Sequence, residues 1–218
     1  DIIIGCAMPE GEQVMNVARI GALLSGLPHS VPAQTINRFC SSGLQAVAFA
    51  ADRIRLGEAE LMLAGGTESM SMVPMMGNKV AMSPKVFSDD HINIAYGMGI
   101  TAEKVAEEWN ISRTDQDAFA FASHQKALAA IAAGEFKDEI TPYDVVSHVP
   151  DLGSDVILTR ETLIDTDEGP RTDTSLEGLA QMRPGFHDGG TGPAGTSSQE
   201  PEGRGAGEAA PATRTKQT

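Results

Sequence analysis

The sequence predicts a layered α/β fold, in which a parallel sheet with helical crossovers is followed by an inserted, mostly helical region. Two observations carry this. Over residues 1–66, short apolar runs alternate with helix-period segments in the order strand, helix, strand, helix, strand. From about Ser71 the texture changes to a methionine- and proline-rich loop, and then to two long helical patterns. A chain that alternates in this way needs right-handed crossovers and a parallel sheet covered by its helices.

Ile2 to Ala7 reads as a buried strand. Asn16 is a candidate cap for a helix from Val17 to Ser25, with Gly26 at its stop and Pro28 beyond. Val31 to Phe39 is a second strand, although Gln34, Asn37 and Arg38 make it polar. Ser42 to Leu56 is a helix ended by Gly57, and it is apolar nearly all round, which predicts burial on most faces. Glu60 to Ala64 is the third strand, closed by Gly65 and Gly66.

Beyond it, Met70, Met72, Met75, Met76 and Met82 surround Pro74 and Pro84, a pattern expected of irregular packing by flexible side chains. Thr101 to Trp109 and Thr114 to Ala133 are helices, the second capped by Ser112 or Thr114 and ended by Gly134. His124 lies within it and is expected to be solvated or hydrogen-bonded. Phe136 to Val149 and Val156 to Thr159 read as extended, and Asp165, Asp167 and Glu168 form an acidic turn without calcium-loop spacing. Ser175 to Met182 is a short helix stopped by Pro184. Residues 200–218 contain no large apolar side chain, which predicts disorder.

Composition narrows the function. A formal charge of −14 argues against nucleic-acid and anionic-membrane partners, although a few local donors can still hold an anionic small molecule. Two cysteines, Cys6 and Cys40, make no disulfide framework and no metal-ligand cluster. A cytoplasmic setting is the default for such usage. The apolar runs fall short of the ~20 residues a spanning helix needs, and no signal-peptide pattern is present. The chain opens on Asp1, which reads as the interior of a longer protein.

Cys40 is the residue with chemistry to explain. It falls where a strand ends and a helix begins, so it faces amide groups that lack intrahelical partners and the positive end of the helix dipole. That placement favours a thiolate, and Ser41, Ser42 and Gly43 allow a substrate close to the backbone. On residue type alone, packing is the commoner role for a cysteine. Both readings stand on this evidence. Cys6, inside a strand with no helix start beside it, takes the packing reading.

The stretch VPAQTINRFCSSGLQAVAFAADRIRLGEAELMLAGGTESMSMVPM, from Val31 to Met75, resembles the nucleophile region of thiolases. MGITAEKVAEEWNISRTDQDAFAFASHQKA, DEGPRTDTSLEGLAQMRPGF and GGTGPAGTSSQ match further segments in the same order, so the resemblance covers residues 1–199. It implies an incomplete thiolase-like α/β/α domain with the nucleophile over residues 1–70, a loop domain covering CoA and substrate over 71–195, and a divergent tail over 196–218. It implies an acyl-CoA acyltransferase that cleaves 3-ketoacyl-CoA with CoA, or runs the reverse condensation. Cys40 would be the acylated nucleophile. Met98 would line the acyl pocket, Arg171 would meet the nucleotide end of CoA, and Phe186, Ala194 and Ser198 the pantetheine arm. No metal or cofactor is implied, and a homodimer or tetramer is expected.

The family's Asn-Glu-Ala-Phe, Gly-His-Pro and Cys-x-Gly segments are absent from these residues, so the chain is expected to be a fragment without the C-terminal catalytic half. The alternative is a non-catalytic half-thiolase that binds acyl-CoA or completes a partner subunit. A decarboxylating condensing enzyme is a weaker reading, disfavoured by GGTESMS. Gly97, where some condensing members carry His, tilts the reading toward the degradative members.

Overall fold

The computed structural model of the protein describes residues 1–13, 15–151, 153–154, 156–193, 195 and 197; the tail expected to be disordered over 200–218 lies outside the described residues. Two compact units are present, Asp1–Ser88 and Asp89–Gln199.

In the first unit, β1 (Ile2–Gly5), α1 (Val17–Leu24), β2 (Ala33–Ile36), α2 (Ser42–Arg55) and β3 (Leu63–Gly66) follow the expected alternation. All three strands are parallel, in the order β2-β1-β3, and Ile4 stands between Thr35 and Gly65. Since β2 and β3 lie on opposite sides of β1, right-handed crossovers put α1 and α2 on opposite faces. The loops leaving β1 and β2 therefore diverge, which opens a crevice at the carboxyl ends of these strands. Asn16 caps α1 as expected, its Oδ1 accepting from the Arg19 amide at 3.2 Å.

The core under α2 is small: Ile3, Ala46, Ala50 and Ala64, with Ile36, Val47 and Met62 packed against it. Gly5 sets the closeness of that packing. A Cβ on Gly5 would lie 2.4 Å from the Ser42 carbonyl carbon and 2.6 Å from the Gly43 nitrogen, so only glycine lets the start of α2 rest on β1.

Three expectations change here. β2 is four residues long, because only Ala33–Ile36 pairs with β1 before the chain turns. β3 is displaced toward its glycines: Gly65 and Gly66, expected to close the strand, pair with Ile4 and Gly5. Finally, α2 is not buried on most faces. Ser42, Ala46 and Ala50 face inward, whereas Leu44 is 75% exposed and Phe49 42%. Three strands cover one side of a helix, and no other described element covers the opposite side. The methionine-rich loop packs with this unit, its Val73 fully buried and within 3.3 Å of a Cβ placed on Gly11.

The second unit contains α3 (Met98–Trp109), α4 (Arg113–Ala133), an antiparallel hairpin of β4 (Tyr143–Asp151) and β5 (Val156–Ile164), and α5 (Leu176–Gln181). Ser112 caps α4 through the Asp115 amide, and Gly134 ends it in the left-handed conformation. β5 runs to Ile164, beyond the expected Thr159, because each of its residues finds a partner on β4. Arg113 fastens α5 to α4. Its Nε reaches both oxygens of the buried Asp117 carboxylate at 2.9 and 3.0 Å, and its terminal nitrogen donates to the carbonyls of Leu179 and Met182.

Candidate active site

In the first unit the site is built on the turn from β2 to α2. Ile36 is the last residue of β2, and α2 begins at Ser42, so five residues reverse the chain. Asn37 forms an Asx-turn, its Oδ1 accepting from the Phe39 amide at 2.8 Å. Phe39 is left-handed, with φ 47°. Ser42 is buried, and its hydroxyl locks the turn: it accepts from the Arg38 amide at 2.8 Å and donates to the Phe39 carbonyl at 2.6 Å.

Cys40 stands on this turn, exposed. The Ser41 and Ser42 amides are bonded within the turn, to Arg38 and Phe39. The next two, of Gly43 and Leu44, have no acceptor among the described residues, which is the condition of a helix start available to an anion. Among the described residues no side chain caps α2. Among the described residues nothing lies within 4 Å of a Cβ placed on Gly43, so they leave the space beside these amides open.

Cys6 differs in every respect. It is 1% exposed, and its Sγ lies 3.9 Å from Glu68 Oε1. Burial, then the charge of Glu68, pushes its thiol pKa up. A buried thiol of raised pKa is inert packing, as expected for this residue. Glu68 also accepts from the Ala7 amide at 2.6 Å and the Gln13 side chain at 2.7 Å, tying the loops after β1 and β3 together.

The other candidates belong to the second unit. Met98 opens α3, 60% exposed, at one end of an open apolar groove of about 320 Å³ that Thr101, Val105, Ala106 and Ile111 also line. Phe186 packs against the start of the same helix at Gly99. Its ring would be 2.0 Å from a Cβ on Gly99, so glycine is required there. Residues 184–193 fold back on themselves, with the Gly185 amide donating to the Gly192 carbonyl at 3.0 Å. Glu103 holds that loop, accepting from the Thr191 and Gly192 amides at 2.8 Å each. Burial opposes its charge, but these donors and the Thr191 hydroxyl outweigh it, and the Glu103 pKa falls below the ordinary glutamate value.

Arg171 is exposed. Its backbone amide donates to Nδ1 of His124 at 3.1 Å, which gives His124 its hydrogen-bonded role in α4. Its guanidinium is paired with Asp173 at 2.8 and 3.0 Å, which raises the pKa of the arginine. Ala194 and Ser198 lie outside the described residues. Met98 and Phe186 are thus brought to one helix turn, while Arg171 lies on the segment bonded to α4. Among the described residues, no group of three His, Cys, Asp or Glu side chains is placed to hold a metal.

The contacts of Asn37, Glu68 and Glu103 around these candidates were not legible in the sequence. A signal existed for Asn37, since an asparagine directly after a strand is an Asx-turn former. For the two glutamates none existed, because their partners lie 61 and 88 residues away.

Comparison with known proteins identifies the family. Residues 1–206 match the family described as thiolase, N-terminal domain. The 3-ketoacyl-CoA thiolase of Bacillus subtilis is 48% identical over 204 residues, 93% of this chain and 51% of that protein. The peroxisomal 3-ketoacyl-CoA thiolase A of Rattus norvegicus is 44% identical, over 93% of this chain and 45% of that protein. The crystal structure of the Bacillus anthracis acetyl-CoA acetyltransferase superposes with a TM-score of 0.75 at 33% identity, covering 97% of this chain and 52% of that one. The chain belongs to the thiolase family and has an α/β thiolase-like fold. It spans about half the length of the curated relatives it matches.

Proposed function

We propose that this chain carries the nucleophile of a thiolase, an acyl-CoA acyltransferase that cleaves 3-ketoacyl-CoA with CoA or runs the reverse condensation. The observation that carries this is the exposed Cys40 on the turn that leads into α2, where the Gly43 and Leu44 amides have no acceptor among the described residues and the space at Gly43 is open among them. In the cleavage direction the Cys40 thiolate attacks the ketone carbon C3. The C2–C3 bond breaks, the electron pair leaves on C2 as the enolate of acetyl-CoA, and that carbon takes a proton. The shortened acyl group remains on sulfur as a thioester. The thiolate of free CoA then attacks this thioester, and Cys40 leaves as thiolate with acyl-CoA as product. A covalent intermediate divides one difficult displacement into two easier ones.

The acyl carrier is the protein's own sulfur, so the reaction calls for no cofactor beyond CoA and acyl-CoA as substrates. Met98 lines the acyl path, Arg171 meets the nucleotide end of CoA, and Phe186, Ala194 and Ser198 meet the pantetheine arm. Pantetheine is long, flexible and largely neutral, which suits an apolar face such as that of Phe186. Residues 71–195 serve as the covering domain and 1–70 as the nucleophile domain. The protein works as a homodimer or tetramer, and its exposed Leu44 and Phe49 supply apolar surface for such contacts. A cytoplasmic setting fits its two free cysteines; no helix among the described residues is long and apolar enough to cross a membrane.

The test is a single-turnover measurement with acetoacetyl-CoA. The chain should release acetyl-CoA in no more than one equivalent, slowly, since the base-bearing segments of the family are not among its residues. Cys40→Ala should abolish the release and Cys6→Ala should not. Sustained turnover by the 218 residues, or release by the Cys40→Ala variant, would refute the mechanism.

A further inference from the structure

We propose that Asn37 is the positioning residue of the Cys40 turn: its side-chain amide spans the crevice between the loops after β1 and β2 and holds Phe39 left-handed, which aims Cys40 at the open start of α2. This rests on the reading of Cys40 as the acylated nucleophile.

Both ends of the Asn37 amide are in use. Oδ1 accepts from the Phe39 amide at 2.8 Å, and Nδ2 donates to the Ala7 carbonyl at 2.9 Å. The two contacts need opposite polarity, one acceptor and one donor on a short stem, and among side chains of that length only asparagine offers both. Ala7 is a firm anchor, because its own amide donates to Glu68 at 2.6 Å and the neighbouring Cys6 amide donates to Ile36 at 3.0 Å. The chain of contacts thus runs from Glu68 through Ala7 and Asn37 to Phe39, one residue before the sulfur.

Phe39 needs such a hold. With φ 47° it occupies a region that side chains other than glycine rarely adopt. Phe39 is 63% exposed, so packing does not enforce the conformation. What remains is the pair of clips on its backbone: Asn37 on the amide and Ser42 on the carbonyl. Release of the amide lets the backbone of Phe39 rotate toward negative φ, and that rotation displaces Cys40, the next residue, from its place on the turn.

This predicts a double-mutant cycle. Glycine enters the left-handed region freely, so a glycine at position 39 removes the need for the Asn37 clip. The probe is iodoacetamide, with alkylation of Cys40 and Cys6 in the 218-residue chain read separately by peptide mass spectrometry. Asn37→Ala should slow Cys40 by roughly tenfold, and in the Phe39→Gly background the same change should cost no more than about twofold. Cys6, buried, should stay protected throughout. Equal losses in the two backgrounds, or no loss in either, would overturn the proposal. So would labelling of Cys6 and Cys40 at one common rate in Asn37→Ala, which would make Asn37 a residue of the fold instead. Failure of the underlying reading looks different: Cys40 would then alkylate normally in the unaltered chain yet take no acyl group from acetyl-CoA.

Discussion

Two glycines flank the start of α2, and substitution of each by alanine should separate folding from chemistry. At Gly5 a methyl group would sit 2.4 Å from the Ser42 carbonyl carbon and 2.6 Å from both the Ser42 oxygen and the Gly43 nitrogen. These are backbone atoms and cannot swing aside. To reach ordinary contact at about 3.5 Å, the first turn of α2 must lift by roughly 1 Å. The helix is pinned to the sheet through Ala46 and Ala50 against Ile3 and Ala64, so the lift opens the only core this face has among the described residues. Overpacking of this kind costs about 1–3 kcal/mol. Ser42 also moves, and with it the hydrogen bonds that lock Arg38 and Phe39. At Gly43 a methyl group meets nothing within 4 Å among the described residues. Alanine there improves helix propensity by up to ~1 kcal/mol, yet it fills the space beside the unpaired amides where a substrate must approach. Urea unfolding and acyl transfer from acetyl-CoA, measured on both variants, give the comparison. Gly5→Ala should lose both stability and transfer; Gly43→Ala should keep its stability and lose transfer. A Gly5→Ala variant as stable as the parent, or a Gly43→Ala variant with full transfer, would refute the packing and access arguments respectively.

Other expectations follow from single contacts. Ser42→Ala removes the acceptor of the Arg38 amide, while the Phe39 carbonyl keeps the Ser42 amide; it should cost about 0.5–1.5 kcal/mol in urea unfolding. Replacement of Arg113 by Met strands the buried Asp117 carboxylate and the last carbonyls of α5; it should destabilise the second unit by roughly 2–4 kcal/mol, toward the low side because the arginine keeps some contact with water. Glu103 has a depressed folded pKa, so its contribution is present above the unfolded glutamate value and lost as pH falls through the folded one. Glu103→Gln should therefore flatten the acid limb of stability against pH below the ordinary glutamate range, and an unchanged limb would contradict the assignment. Asp173→Asn frees the Arg171 guanidinium and should tighten CoA binding at low salt, whereas Arg171→Ala should weaken it with unfolding unchanged.

The alternation of β1, α1, β2, α2 and β3 could be read from the sequence because Asn16 caps α1 and a left-handed glycine, Gly26 or Gly57, follows each helix, which are local signals. Cys40 was legible for the same reason, as a thiol at a strand-to-helix junction. What could not be read depends on partners far along the chain. Gly65 and Gly66 look like a strand terminator until Ile4 and Gly5 are set beside them. α2 looks like a helix buried all round, because its composition does not say how many elements cover it; the structure supplies three strands on one side and leaves Leu44 and Phe49 outside. Glu68 and Glu103 carry no sequence pattern, since their roles arise only when segments 61 and 88 residues apart meet, two loops for Glu68 and α3 with a loop for Glu103. Arg171 announces a cation but not the Asp173 that already occupies it.

Transfer of one acyl group to one sulfur is the point on which the account turns. The chain should be incubated with acetyl-CoA, quenched in acid and digested, and the acetyl group located by peptide mass spectrometry. The account predicts the label on the peptide containing Cys40, with Cys6 unmodified; an acetyl group on Cys6, or on neither cysteine while CoA is nonetheless released, would contradict it.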